Sequence, residues 1–245
     1  MKTPIAVLAS GRGSNFEAIL RAVQGGQLDA DIRVLVTDNP QAKAIQIAQW
    51  AGIAVEVVEP PRSRQAKRDG ELLNEPPRSP KAPGMQAEDT QELAARRLQH
   101  DEAILRALSR HLPKFLVMAG YMRVVTPRLI EAFRSDRGYS RIVNIHPSLL
   151  PAFPGVESYA QAFHHGAKIT GATVHLVEEQ VDSGPICAQT AFDISACRTQ
   201  AEVEQRGLSI EHRLYPETLS WILPEAFDIE AREFRKIRRH YVRAR

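Results

Sequence analysis

The sequence predicts an α/β fold: a mostly parallel central sheet with helices on both faces and an antiparallel strand toward its C-terminal part. Three observations carry this. Apolar runs of strand length alternate with amphipathic stretches from the N-terminus onward, a βαβαβ rhythm whose right-handed crossovers make a parallel sheet. The first run ends in a glycine-rich turn that opens a helix. Two late apolar runs flank a tight turn, Val181-Asp182-Ser183-Gly184-Pro185, which sets them antiparallel.

The elements follow in order. Ile5–Ala9 reads as a buried strand, 15–23 as a helix, 32–37 as a strand, 42–51 as a helix and 54–58 as a strand. The rhythm then breaks. Residues from Glu59 to about Gln91 are rich in Pro, Arg, Lys, Glu and Gly, too polar to bury enough apolar surface against their ordering entropy, and read as a loose surface excursion. A helix is expected from about Thr90 to His111, a buried strand over 114–120, a helix over 127–133 and a strand over 141–146. Beyond a Pro-rich loop come a helix (156–165), strands (170–178 and 185–192) and a long helix to Ile222, with Thr199 as its N-cap and Glu202 three residues on.

Of the 245 residues, 43% are apolar and 25% charged, so one sizeable core is expected and wholesale disorder is not. One domain is read over 1–224, carrying the insertion at about 59–91, with a basic tail over 225–245. That tail holds Arg232, Arg235, Lys236, Arg238, Arg239, Arg243 and Arg245, and reads as a solvated terminal helix rather than a nucleic-acid arm, since no aromatic stacking pattern accompanies it. No apolar run approaches the roughly 20 residues that span a bilayer. The two cysteines, Cys187 and Cys197, are too few for a disulfide framework and read as thiols in a reducing compartment. A cytoplasmic protein with neither membrane nor nucleic-acid partner is therefore expected, and its net charge of +3 suits anionic small substrates.

Ser10-Gly11-Arg12-Gly13-Ser14-Asn15 follows the first strand. Backbone N–H groups at a helix start, beside glycines that admit a ligand closely, make an anion site; the same residues serve equally as a tight turn with Ser14 or Asn15 capping the helix. The dinucleotide fingerprint is half met, because Phe16 stands at its third glycine position, and no Gly-Lys-Ser/Thr makes a Walker loop. A single phosphate fits better than a pyrophosphate.

Asn144 and His146 lie two apart on a strand and point to one side, at the strand end where open α/β sheets bind ligands. Acyl transfer needs a donor aimed at the developing oxyanion and a group that relays the proton lost by the attacking amine. An Asn amide and a His supply these, and the Asp182 carboxylate favours the protonated His. Taken singly, His146 reads as a satisfied core histidine and Asp182 as turn chemistry.

SGRGSN (10–15), AGYMR (119–123), NIHPSLLP (144–151), PG (154–155), GATVHLV (171–177), VDSGPI (181–186) and EHRLYP (211–216), in that order, resemble the phosphoribosylglycinamide formyltransferases of the folate-dependent formyltransferase family. The resemblance runs from residue 4 to about 222 and leaves out the excursion and the tail. It implies the Rossmann-like formyltransferase fold and transfer of a formyl group from 10-formyltetrahydrofolate to the amino group of glycinamide ribonucleotide in purine biosynthesis, without a metal. It also leaves room for a homodimer. Residue by residue, it implies Asn144, His146 and Asp182 as the catalytic set. Gly13, Ser14 and Asn15, with Arg12 beside them, hold the phosphate, and Glu211 the ribose. Met122, Arg123, Val125, Val177 and Glu178 line the folate pocket, and Arg97 meets the folate's glutamate tail. His175 is implied as a supporting strand residue. The His or Asn often found in the helix start at 155–162 is absent.

Two other readings remain open. A formyltetrahydrofolate deformylase would use similar residues with water as acceptor, and is expected to carry a small domain before the first strand. A non-catalytic NAD-binding module would use Asp38 as its ribose acid but leaves Asn144 and His146 unexplained.

Overall fold

The computed structural model describes residues 2–61, 87–234 and 237–244. Along the chain lie β1 (Thr3–Leu8), α1 (Ser14–Gln24), β2 (Ala30–Thr37), α2 (Ala44–Trp50), β3 (Ala54–Val57), α3 (Ala87–Leu108), β4 (Phe115–Met118), α4 (Pro127–Ala132), β5 (Ile142–His146), α5 (Ser158–His164), β6 (Ile169–Leu176), β7 (Ile186–Asp193), α6 (Gln200–Ile222), β8 (Phe227–Phe234) and β9 (Ile237–Ala244). The strands form one sheet in the order β3-β2-β1-β4-β5-β6-β7-β9-β8. Strands β1 to β5 are mutually parallel, and β6 runs antiparallel to both β5 and β7.

The unbroken apolar run of β1 has a simple cause: the sheet is covered on both faces. Ile5 and Val7 belong to a core with Phe16 and Ile19 of α1 and Leu214, Tyr215 and Leu219 of α6. Ala6 and Leu8, facing the other way, pack with Ile104 and Leu108 of α3 and with Leu129 and Ile130 of α4. The β4 residues alternate likewise, Phe115 and Val117 to the first layer, Leu116 and Met118 to the second. The α6 layer is pinned by Tyr215, whose buried hydroxyl lies 3.0 Å from the Met118 carbonyl and 2.9 Å from that of Val143. Helix α6 opens as its sequence indicates: the Thr199 hydroxyl accepts from the Glu202 N–H, while the Glu202 carboxylate accepts from the Arg198 N–H.

The expected elements up to Ile222 form within about three residues of their predicted ends. The excursion read at 59–91 falls, from 62 to 86, outside the described residues. The expected terminal helix is a correction: residues beyond 226 make the antiparallel pair β8 and β9, which extends the sheet where Ile186 meets Tyr241. Phe227, Ile229 and Ala231 recur every second residue, the strand period, and Phe227 is fully buried. Of the charges between them, Glu230 pairs across the strands, accepting from the Tyr241 hydroxyl and from Arg243, while Asp228 pairs with Arg137.

Glu225, at φ 58 in the turn that leads to β8, ties this hairpin to the rest. It accepts from Lys114 Nζ at 2.6 Å, the Tyr139 hydroxyl at 2.6 Å and Arg141 Nε at 2.8 Å. Burial alone would raise its carboxyl, but the three hydrogen bonds and the Arg141 charge outweigh that and hold it at about 2. A depressed carboxylate stabilises the fold above its unfolded value of 4.5, and that contribution is lost as pH falls toward 2. Replacement of Glu225 by Gln is expected to cost about 2 kcal/mol at pH 7. Urea unfolding across pH 7 to 3 should show the gap between variant and parent narrowing on the acid side.

Candidate active site

Three loops meet at the C-terminal edge of the parallel strands: the glycine-rich turn after β1, the 119–126 loop after β4, and the end of β5. Ser10 links the first two. Its N–H donates to the Gly120 carbonyl at 3.1 Å and its hydroxyl accepts from the Met122 N–H at 3.0 Å.

Asn144 and His146 stand on the same side of β5, as their spacing predicts. Antiparallel pairing sets His175 of β6 directly opposite Asn144. Asp182, at φ 53 in the left-handed region that Asp tolerates, comes from the β6–β7 loop to place Oδ2 3.4 Å from His146 Nδ1 and Oδ1 3.8 Å from His175 Nε2. All three side chains are at least nine-tenths buried. Residues 38 positions apart in sequence thus share one small volume.

The hydrogen-bond partners fix the proton positions. His175 Nδ1 lies 3.0 Å from the Leu176 carbonyl, an acceptor, so Nδ1 carries the hydrogen. Burial drives the His175 ring toward its neutral form, which leaves Nε2 as an acceptor. Asn144 Nδ2, 3.3 Å away, donates to it and keeps a second N–H for another acceptor. His146 Nε2 lies 2.9 Å from the Phe153 carbonyl and 3.0 Å from the Ser158 hydroxyl. The Phe153 carbonyl accepts from Nε2–H, and the Asp182 carboxylate stands beside Nδ1. The Gly155 N–H donates to Asp182 Oδ2 at 2.8 Å, so the 152–157 loop touches both members of the pair.

At the N-cap of α1, Gly13 adopts φ 76, and a Cβ there would lie 2.8 Å from Ala44 Cβ. Only glycine lets α1 and α2 start this close together. No side chain caps α1, so neither Ser14 nor Asn15 takes that alternative role, and the first-turn N–H groups stay available to an anion. Arg12 pairs with Glu204 of α6 at the rim. Asn15 and Glu211, 196 residues apart, meet inside: Asn15 Nδ2 donates to Glu211 Oε2 at 2.6 Å. The Tyr159 hydroxyl donates to Oε1 at 2.7 Å. Burial raises the Glu211 carboxyl above its ordinary range, with the bonds from Asn15 and Tyr159 acting against it. Asn15 Oδ1 is buried without a partner.

Of the residues expected to face folate, Met122 is 59% exposed, while Val125 and Val177 share one buried apolar cluster. Arg123 is held by Asp38, the acid that an NAD-binding reading would have placed on a ribose. Arg97 sits close enough to Arg123 and Asp101 to feel both charges, and its Nη2 is buried without a partner. Glu178 is drawn to Arg134 at 3.1 Å.

Sequence reasoning missed Ser158, Tyr159 and Asp101, the last of which accepts from the Thr126 N–H at the start of α4, and it named Asp38 for a ribose rather than for Arg123. Ser158 and Tyr159 open a helix separated by two residues from a Pro-Gly pair, a signal that would have singled them out. Asp38 and Asp101 act through contacts made only in three dimensions.

Comparison with known proteins follows the same lines. A family model described as formyl transferase matches residues 3–219. A phosphoribosylglycinamide formyltransferase of Bacillus subtilis (strain 168) is 37% identical over 218 residues, which cover 89% of this chain and 93% of the relative. The crystal structure of glycinamide ribonucleotide transformylase 1 from Symbiobacterium toebii superposes with a TM-score of 0.76 at 32% identity, covering 99% of this chain and 94% of that one. A formyltetrahydrofolate deformylase structure from Pseudomonas syringae pv. tomato str. DC3000 shares the fold, with a TM-score of 0.70, 20% identity and coverage of 100% and 66%.

The glycine-rich turn yields a stability test. Gly13→Ala combines a positive φ with a 2.8 Å collision, whereas a Cβ at Gly11 meets nothing within 4 Å. The first substitution is expected to cost about 1–3 kcal/mol and the second under about 1 kcal/mol in urea unfolding. Equal costs would contradict the close approach of α1 to α2.

Proposed function

This chain belongs to the formyl transferase family, and we propose that it transfers the formyl group of 10-formyltetrahydrofolate to the amino group of glycinamide ribonucleotide, a step of purine biosynthesis. The observation that carries the reading is the convergence of Asn144, His146 and Asp182 at the end of β5, beside a helix start suited to a phosphate.

In this proposal the N–H groups from Gly13 to Asn15 take the phosphate and Arg12 screens it at the rim. Glu211 accepts from the ribose hydroxyls. The apolar wall of Met122, Val125 and Val177 takes the folate ring, and Arg123 and Glu178 flank it. The buried, unpartnered Nη2 of Arg97 is a donor suited to a tail carboxylate. These residues fit the cosubstrate: an apolar face for a ring system and a cation for an acid.

The amine nitrogen bonds to the formyl carbon, the bond from that carbon to the folate nitrogen breaks, and one amine proton ends on the departing nitrogen. The free N–H of Asn144 and the charged His146 donate to the oxyanion that develops between these events. Asp182 favours the charged form of His146 and directs the proton outward. Holding both substrates in line supplies up to about 7–11 kcal/mol of the barrier reduction, which is why the walls matter as much as the triad.

The deformylase reading uses the same triad with water. It leaves the phosphate turn and the Asn15–Glu211 pair without a task, and the deformylase structure shares only the fold at 20% identity. Among the described residues no helix is long and apolar enough to cross a membrane, and a cytoplasmic place is part of the proposal.

Turnover with 10-formyltetrahydrofolate, comparing glycinamide ribonucleotide, water and initiator Met-tRNA as acceptors, is expected to formylate the ribonucleotide alone. His146→Ala and Asp182→Asn should each lower kcat by about 10²–10⁴ with KM shifts of a few-fold. Near-parental turnover in either variant would remove that residue from the mechanism.

A further inference from the structure

Helix α6 carries a glycine in its interior, Gly207, where glycine costs about 1 kcal/mol relative to alanine. Its neighbour explains it. A Cβ at Gly207 would lie 2.1 Å from Tyr159 Cζ, 2.2 Å from its hydroxyl oxygen and 2.6 Å from Cε2, so the Tyr159 ring lies directly on the bare backbone of α6. One helical turn further on, on the same face, stands Glu211. The ring's depth against Gly207 is what lets the hydroxyl reach Glu211 Oε1 at 2.7 Å. Tyr159 is 7% exposed and Glu211 4%, and the Phe192 ring packs on Tyr159 in a T-shaped arrangement, 6.1 Å between centroids.

The chemistry is one-sided. A carboxylate only accepts, so Asn15 must turn Nδ2 toward it, which leaves the amide oxygen Oδ1 buried and unpartnered. Each carboxylate oxygen receives one donor, from Tyr159 and Asn15, and keeps a lone pair. The two fixed donors set the carboxylate plane, and the groups left over, two carboxylate lone pairs and the Asn15 oxygen, are all acceptors. Such a site takes neighbouring hydroxyl donors and repels a further acceptor.

We propose that Tyr159 is a positioning residue for the ribonucleotide: seated on Gly207, its hydroxyl fixes the Glu211 carboxylate in the orientation that receives the sugar hydroxyls. This rests on the ribonucleotide reading given above.

The test is steady-state kinetics with 10-formyltetrahydrofolate and glycinamide ribonucleotide on the full chain. Tyr159→Phe keeps the ring and removes only the hydroxyl. It is expected to raise KM for the ribonucleotide about tenfold, to lower kcat less than about threefold and to leave KM for the folate within about twofold. Gly207→Ala pushes the ring off α6 and should raise the same KM. In a Tyr159→Ala background, where no ring is left to displace, it should add less than about twofold, the non-additivity of a contacting pair.

Glu211→Gln separates the two claims. If it raises the ribonucleotide KM while Tyr159→Phe does not, the Tyr159 proposal falls and the ribonucleotide reading stands. If Glu211→Gln leaves that KM unchanged, the ribose role of Glu211 falls, and the proposal with it. Equal rises in both KM values for Tyr159→Phe, or additive effects of Gly207→Ala in both backgrounds, would mean a packing role only and overturn it.

Discussion

The pairing register between β5 and β6 is the constraint on which the candidate site depends. Asn144 sits opposite His175 and His146 opposite Thr173, so one residue of slip would turn both β5 side chains to the other face. The register is held by burial, since Val143, Ile145, Val174 and Leu176 all belong to the α6-side core. It shifts by one residue between Val174 and His175 on the β7 side, a bulge of the kind that re-aims side chains beside functional sites. From there the β6–β7 loop leaves beside Val143 and still returns Asp182 to the level of His146. A parallel strand in place of β6 would have needed a crossover of a dozen residues or more and could not have delivered the carboxylate on so short a loop.

The main elements of the fold were legible because both sheet faces are covered, which writes apolar runs such as Ile5–Ala9 into the sequence as unmistakable buried strands. The C-terminal hairpin was misread for an equally physical reason. Its arginines and acids suggest a solvated helix when counted, but the acids at 228 and 230 alternate with Phe227, Ile229 and Ala231 at the period of a strand, and the partners of Glu230 lie across the hairpin. Composition drew attention away from periodicity.

In the site, the residues that motifs point to were legible, and their convergence was partly so. Asn144 and His146 announce themselves by a two-residue spacing at a strand end. That Asp182 reaches them is not readable from spacing, because it depends on a nine-residue loop folding back. Glu211 illustrates a deeper limit. Nothing local to α6 says that its carboxylate will be buried between Asn15 of α1 and Tyr159 of α5; only Gly207, an interior helical glycine, hints that something must approach the backbone there. The Asp38–Arg123 and Asp101–Thr126 contacts leave no trace in the sequence beyond ordinary charged residues.

The hydrogen bonds made by His146 and Asp182 bear on how the pair is buried and yet takes the role proposed for it. A charged imidazole and a carboxylate at this depth would each cost several kcal/mol without partners. The 152–157 loop supplies them from its backbone: a carbonyl at Phe153 for Nε2 and an N–H at Gly155 for Asp182. Phe153 at φ 50, Gly155 at φ 88 and Glu157 at φ 57 give this loop the sharp reversals that let one short segment present an acceptor and a donor to one pair. Any acceptor brought to Nε2 therefore exchanges with the Phe153 carbonyl instead of filling a gap, and the energetic difference between the two arrangements is that of one hydrogen bond for another, about 1 kcal/mol rather than the full cost of desolvating an ion. In the proposed mechanism, the burial that would strengthen the pair's field on a developing oxyanion is thereby kept without stripping the pair of its hydrogen-bond partners.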